Sequence, residues 1–211
     1  RRYHMENISN KIIVLLIICA SIVSSEGLAQ TATQNAFYRS YELEKNGKYT
    51  QAIQELKSVY TSKDYFINLR LGWLYYLAKQ NNESLKFYNT AIQLKPTSIE
   101  AKFGSVKPLS AMENWEQVKL QYQAILKIDP RNTVAAYWLG VIHYNRKEFQ
   151  SADRLFQMVV NLYPLDYDSV IMLARTKLNM GKSAEAKAIF NHALTLRPKD
   201  ESALNGLKKI K

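Results

Sequence analysis

Apolar residues recur along this chain at helical spacing, in segments separated by short polar turns. In the stretch 133–166 they return three and four residues apart through two such segments, and Pro164 ends the second. Four prolines stand 34 residues apart, and each follows a segment of the same kind: Pro96, Pro130, Pro164 and Pro198. A period of this length predicts stacked pairs of helices, because no pair can bury its apolar face alone.

Small and large apolar residues occupy fixed places within the period. In the stretch 133–166, Gly140 and Ala152 are small where two antiparallel helices would cross, so the helix axes can approach closely. Phe156 is large and would fill the space beside them. Pro164 ends the second helix, because its ring cannot continue a helix and pushes the preceding residue to an extended conformation.

This pattern resembles the tetratricopeptide repeat. His143 and Val159 depart from it, since they stand where Tyr and Ala are usual. The resemblance implies an all-α fold, a right-handed α-solenoid of antiparallel helix pairs with about five repeats and a C-terminal capping helix. The residues of 133–166 that carry the resemblance are Ala136, Leu139, Gly140, Ala152, Phe156 and Pro164.

The third repeat is the irregular one. Pro108 lies inside its first helix, removes a backbone hydrogen bond to Gly104 and should kink or break that helix. Thr97 and Glu100 have the spacing of a cap at its start, and Asp200 is expected to cap the last helix. The period predicts repeats over 33–64, 65–98, 99–132, 133–166 and 167–200, followed by a capping helix over 201–211, and residues 1–29 are interpreted as an N-terminal extension and signal peptide.

The N-terminal 29 residues have the plan of a secretory signal. Lys11 precedes an apolar run over 12–23, and Gly, Leu and Ala at 27–29 form a small-x-small cleavage site. The run is shorter than the roughly 20 residues that a membrane span needs, so no stable span is expected in the mature form. Cys19 permits a lipid anchor as the alternative, although Ile18 is larger than the residue that usually precedes such a cysteine. The mature protein is expected to be exported, and periplasmic or associated with the cell envelope.

Lysine and arginine exceed aspartate and glutamate, 29 to 18, which gives a formal net charge of +11. This excess suits acidic or anionic partners. The cations are scattered singly, without an arginine-rich run or a recognised binding motif, so nucleic acid is not the expected partner.

The resemblance implies that the first helix of each repeat lines a concave groove. Aromatic rings in the groove would cover a bound protein or peptide segment, and Lys107 and Arg175 could hold its carboxylates. The same rings could instead pack between neighbouring helices, as is expected of Tyr49, Trp115 and Phe149, which share one repeat position. The residues assigned to the groove are Phe37, Tyr41, Phe66, Leu69, Trp73, Tyr76, Phe103, Lys107, Tyr137, Val141, Tyr144, Ile171 and Arg175.

No catalytic pattern is present in the sequence. It lacks a Gly-x-Ser-x-Gly elbow, a phosphate-binding glycine loop and a His-Glu-x-x-His pair. His143 and His192 have no second His or Cys at ligand spacing, so neither a metal nor a cofactor is expected. The sequence therefore predicts a non-enzymatic, exported scaffold that binds a protein or peptide segment in a cell-envelope assembly, and the excess of positive charge favours an acidic segment. Binding of an anionic glycan or lipid is the alternative.

Overall fold

The protein is described from residue 30 to residue 210 in a computed structural model. Within this range the regular secondary structure is entirely helical, and the prediction of an all-α solenoid of helix pairs is confirmed. No helix in the range is long and apolar enough to cross a membrane. The predicted signal peptide, with Cys19, lies outside the described residues.

Eleven helices follow one another within 30–210, and successive helices are joined by short turns. The last ends at Lys208, within the segment 201–211 that was predicted as a capping helix. The helices are α1 (30–45), α2 (Tyr49–Lys57), α3 (Tyr65–Leu77), α4 (Asn81–Leu94), α5 (Ile99–Ala111), α6 (Trp115–Ile128), α7 (Thr133–Asn145), α8 (Phe149–Leu162), α9 (Tyr167–Asn179), α10 (Ser183–Leu196) and α11 (Glu201–Lys208).

The described helices form two compact units. Unit 1 ends at Leu94 and contains α1 to α4, and unit 2 begins at Lys95 and contains α5 to α11. In unit 1 the core is built around Leu56, Leu71 and neighbouring aliphatic residues. In unit 2, Phe156 and Phe190 are completely buried, each within its own apolar cluster. Each unit therefore has a core of its own.

A polar residue caps the first helix of successive periods. At α5 the cap is Ser98, whose Oγ accepts a hydrogen bond of 3.0 Å from the Ala101 amide. The predicted cap at Thr97 is wrong, because the helix begins one residue later than that spacing assumed. The cap at Asp200 is confirmed. Caps of this kind stand 34 residues apart at Asp64, Ser98, Asn132, Asp166 and Asp200.

The first helix of every period ends in the same left-handed turn. In the second repeat, the amide of Gln80 donates to the carbonyl of Tyr75, which is the Schellman arrangement. The residue before it has a positive φ, a conformation that favours glycine. Yet glycine occupies this place in only two of these five turns, whose residues have φ between +56° and +74°: Gly47, Lys79, Glu113, Lys147 and Gly181.

Pro108 lies inside α5, and the helix continues through it to Ala111. Of the predicted kink or break, the break is therefore wrong. Proline has no amide hydrogen, so one helical hydrogen bond is lost at this position. The carbonyl of Pro108 is still used, since it accepts from the amide of Met112 at 3.0 Å. Pro108 is itself buried, so its ring also contributes to helix packing.

Glycine lies where the two helices of a repeat cross, as the sequence predicts. A Cβ atom on Gly140 would stand 2.8 Å from the Phe156 ring, and one on Gly72 would stand 2.9 Å from the Tyr88 ring. Both distances are too short for a real contact, so α7 and α8, like α3 and α4, approach as closely as they do because the glycine has no side chain.

Candidate functional site

A buried ion pair fixes part of the aromatic face of unit 1. Arg70 on α3 is 8% exposed, and its Nη1 lies 2.5 Å from Oε2 of Glu44 on α1. The Tyr41 ring covers the guanidinium, with 3.8 Å between the ring centroid and Cζ. The indole N–H of Trp73 donates to the other Glu44 oxygen at 2.7 Å. Two residues predicted for the groove, Tyr41 and Trp73, are thus held in place by contacts between α1 and α3.

The remaining groove residues of unit 1 lie on the same two helices. Trp73 and Tyr76 are neighbouring rings, with centroids 5.8 Å apart. Phe37 packs against the core of the unit, Leu69 is partly buried, and Phe66 is exposed. Unit 1 therefore presents a mixed surface, in which some rings are covered and others face solvent. Its role in binding stays a prediction.

Three predicted groove residues of unit 2 lie on α7 and are partly buried. Tyr137 packs edge-on against Phe156, with centroids 5.9 Å apart, and Val141 joins the same apolar cluster. Burial, followed by the charges of nearby aspartates, raises the pKa of the Tyr137 hydroxyl. The Tyr144 hydroxyl accepts a 3.0 Å hydrogen bond from the Asn179 amide. These side chains help to hold α7 against its neighbours.

The other four predicted residues of unit 2 lie on α5 and α9. Phe103 contacts the Tyr122 ring, with centroids 6.3 Å apart, and Lys107 is exposed. Ile171 is only 6% exposed and so offers little surface to a partner. The Arg175 guanidinium donates a hydrogen bond to the Ser202 hydroxyl on α11, which competes with its predicted role of holding a carboxylate.

Two tryptophans that were not assigned to the groove line a cavity between α5, α6 and α7, which we call the tryptophan cavity. Its volume is about 700 Å³. Trp115 is 50% exposed and Trp138 is 48% exposed, and burial raises the pKa of the Tyr122 hydroxyl to about 12. The lining residues are Ser110, Trp115, Val118, Tyr122, Trp138, Val141, Ile142, Asn145 and Arg146.

The tryptophan cavity, with its volume of 700 Å³, exists because the third repeat lacks a large side chain. Ser110 stands at the repeat position that Tyr76 and Tyr144 hold in the second and fourth repeats. A serine there leaves space beside α7 that a tyrosine ring would fill. Trp115, which was expected to pack between neighbouring helices, is instead half exposed, whereas Phe149 at the same repeat position does pack, with its ring centroid 5.5 Å from that of Tyr144.

Two cations share one carboxylate beside the tryptophan cavity. Glu116 on α6 lies 2.9 Å from the Lys119 ammonium and 2.5 Å from the Arg146 guanidinium. Hydrogen bonds from Lys119 and then from Arg146 hold the pKa of Glu116 below its ordinary value. The three groups together carry one excess positive charge, and Arg146 also lines the cavity.

No metal site is found among residues 30–210, where no three His, Cys, Asp or Glu side chains come close enough to hold an ion. His143 instead contacts the carboxylate of Glu148 at the turn between α7 and α8. That contact holds the pKa of Glu148 below its ordinary value. The histidine is thus engaged locally.

The sequence does not mark Trp138 as exposed, but it contains a weak signal for Trp115. Trp138 lies in the run from Tyr137 to Ile142, in which every residue except Gly140 is large and apolar, so helical periodicity cannot separate buried from exposed positions. Trp115 is followed by Glu116, and Lys119 lies one helical turn after it. Charged neighbours of this kind are typical of an exposed helix face and not of a core position.

Comparison with known proteins identifies the repeats. Family profiles described as tetratricopeptide repeat match residues 67–98, 134–166 and 167–200. Anaphase-promoting complex subunit 3 of Schizosaccharomyces pombe is 30% identical over 88 residues, which make up 42% of this chain and 13% of that protein. The chain therefore spans only a small part of that relative.

Solved structures share the fold. A tetratricopeptide repeat protein from Parabacteroides merdae superposes with a TM-score of 0.72 at 17% identity, over 85% of this chain and 72% of that one. The MamA protein superposes with a TM-score of 0.69 at 18% identity, over 80% of this chain and 93% of its own. At these identities the likeness shows the fold alone.

Proposed function

We propose that this chain binds an extended segment of a partner protein. The chain belongs to the tetratricopeptide repeat family, whose repeats form a scaffold for protein interactions. The segment lies across α7 and inserts a large apolar side chain into the tryptophan cavity. The groove residues of α5 and α7 extend the same contact surface. The proposal includes no catalytic step.

The observation that carries this proposal is the pair of half-exposed tryptophans around one cavity. Tryptophan is costly to leave in water, and it is enriched among the few residues that dominate binding energy at protein interfaces. The cavity of about 700 Å³ is lined mainly by apolar side chains, with Ser110 and Asn145 as polar groups that can bond a segment's backbone. Such a site suits an aromatic or large aliphatic anchor.

Charge favours an acidic segment around that anchor. Residues 95–211 include 18 Lys and Arg against 11 Asp and Glu. Arg146 and Lys119 stand beside the cavity, where both pair with Glu116. Acidic residues flanking the anchor would therefore be attracted to unit 2, and this attraction should weaken as salt is added.

Selection from a random peptide library tests the proposal. We expect the selected peptides to carry an aromatic or large aliphatic residue next to Asp or Glu. Their affinity, measured by calorimetry, should fall at least about tenfold in the double variant Trp115→Ala, Trp138→Ala. Tyr38→Ala, which removes an exposed ring of unit 1, is the matched control and should change little. Equal affinities for wild type and the double variant would overturn the assignment of the cavity.

We further propose that the protein is exported and works in a cell-envelope assembly. The support is the signal-like sequence over 11–29, with its basic residue, apolar run and small residues at the end. The mature N-terminus is then expected at Gln30 and can be read by mass spectrometry of the protein recovered from fractionated cells. Recovery from the cytoplasm with residues 5–29 still attached would contradict export.

A further inference from the structure

A second cavity of unit 2, which we call the loop cavity, lies where the end of α8 turns into α9 beside the start of α7. Its volume is about 630 Å³, and none of its lining residues belongs to unit 1. Leu165 in the turn is 77% exposed and Tyr163 is 58% exposed. The cavity is therefore open to solvent and can be reached by a partner.

Aromatic rings form one part of its wall. Tyr137 and Trp138 meet edge to face, with centroids 5.3 Å apart, and Tyr163 contributes a third ring from the end of α8. Trp138 lines both the loop cavity and the tryptophan cavity. Ring faces carry negative electrostatic potential, so they attract cationic groups.

Two carboxylates form another part of the wall. Asp166 accepts a 3.2 Å hydrogen bond from the Ser169 amide as the cap of α9, and Asp168 lies two residues further, in the first turn of that helix. The pKa of Tyr137 rises through burial first and then through the charges of Asp168 and Asp166, so the negative potential of both carboxylates reaches the rings.

Basic groups near these carboxylates offset them only in part. The Arg197 guanidinium lies 3.9 Å from Asp168, and both side chains are more than half exposed, so that contact is weak. The charge of Arg175 lowers the pKa of Tyr137, but its effect is smaller than that of either aspartate. The charge of the loop cavity is thus negative, whereas the net charge of the whole chain is positive.

We propose that the loop cavity binds the guanidinium of an arginine side chain carried by a partner protein. A guanidinium is planar, so it can stack on a ring while its N–H groups bond a carboxylate. This chain already contains that arrangement in unit 1, where Arg70 lies under the Tyr41 ring at 3.8 Å and pairs with Glu44 at 2.5 Å. The loop cavity offers rings and carboxylates of the same kind without an arginine of its own among the lining residues.

This inference does not rest on the proposed function, because the two cavities call for groups of different chemistry. A partner segment that crosses Trp138 could fill both, with an apolar anchor on one side and an arginine on the other. Either site could also act without the other, so each is tested with its own probe.

Nuclear magnetic resonance of the full chain tests the loop cavity with N-acetyl-arginine amide as the probe. N-acetyl-citrulline amide is the matched control, because it has nearly the same shape and no charge. The arginine probe should shift the indole N–H signal of Trp138, assigned with Trp138→Phe, and should bind at least about fivefold more tightly than the citrulline probe. Equal binding of the two probes would overturn the proposal.

A double variant removes the charge while keeping the helix cap. Asp166→Asn with Asp168→Asn should bring the affinity for the arginine probe down to that for the citrulline probe, since asparagine also caps helices. Asp64→Asn changes the equivalent cap of α3 in unit 1 and should leave the titration unchanged. Tyr163→Ala provides a second variant outside the cap and should weaken the arginine probe as well. Unchanged affinity in both loop-cavity variants would also overturn the proposal.

Discussion

The two units hold their aromatic residues in different ways. In unit 1, Trp73 donates its indole N–H to Glu44 and Tyr41 covers Arg70, so both rings are held by charged partners on a neighbouring helix. In unit 2, Trp115 and Trp138 stand half exposed around a cavity. An aromatic residue of a repeat is therefore open to a partner only where the neighbouring helix leaves space beside it.

Breaking the ion pair of unit 1 should have the largest effect. Arg70→Ala leaves Glu44 without its buried partner and uncovers the Tyr41 ring, so we expect the free energy of unfolding to fall by about 3 kcal/mol. Urea unfolding followed by fluorescence measures this change. Arg39→Ala removes an exposed pair, 3.3 Å from Glu55, and should cost less than about 1 kcal/mol. Similar losses in both variants would mean that the buried pair does not organise unit 1.

The helix crossings should respond alike in both units. Gly72→Ala and Gly140→Ala each place a methyl group against a ring, and each should lower the free energy of unfolding by about 1–3 kcal/mol. Thermal unfolding of the two variants measures the effect. Adding Phe156→Leu to Gly140→Ala should recover part of the loss, because the smaller side chain makes room. A loss confined to one unit would show that the cores differ as well as the surfaces.

Solvent access should distinguish the tryptophans without changing stability much. In variants that retain one tryptophan and carry Phe at the other two positions, acrylamide should quench Trp115 and Trp138 more strongly than Trp73. Stern–Volmer slopes measured on folded protein give the comparison, and the same variants in urea provide the reference for full exposure. Equal slopes in folded protein would remove the contrast between the units.

The smallest effect concerns Lys177, which stands at the repeat position that Tyr75 holds in unit 1. Tyr75 stacks on Phe87, whereas the Lys177 ammonium lies 3.0 Å from Asp153 and 2.8 Å from Glu185. The hydrogen bond from Lys177 lowers the pKa of Glu185 below its ordinary 4.5. A carboxyl group whose pKa is lowered by folding stabilises the folded state at pH values above its ordinary pKa. That stabilisation is lost as pH falls through the pKa of the folded state.

Glu185→Gln should therefore lower the unfolding temperature slightly near neutral pH and leave it unchanged in strong acid. Thermal unfolding across this pH range provides the measurement. Glu201→Gln on α11 is the control for a change of net charge alone. A difference between Glu185→Gln and wild type that persists in acid would show that the effect does not come from the ionised carboxylate.

The local features of the repeat could be predicted from sequence, and the open surface could not. Gly140, Phe156 and Asp200 act within one turn or one helix pair, so their spacing specifies what they do. The exposure of Trp115 depends on three helices and on the small volume of Ser110, which periodicity does not report. The position of Ser98 as the cap in place of Thr97 shows the same limit at the scale of one residue, since either hydroxyl could cap the helix.

The turns that end the first helices also determine how readily this chain can be made more stable. Lys79, Glu113 and Lys147 hold a left-handed backbone that glycine adopts without steric cost. Replacing any of them by glycine should raise the free energy of unfolding by up to about 1 kcal/mol. None of the three lines the tryptophan cavity or the loop cavity. An engineer could therefore raise thermal tolerance in three separate steps while leaving both candidate binding surfaces intact.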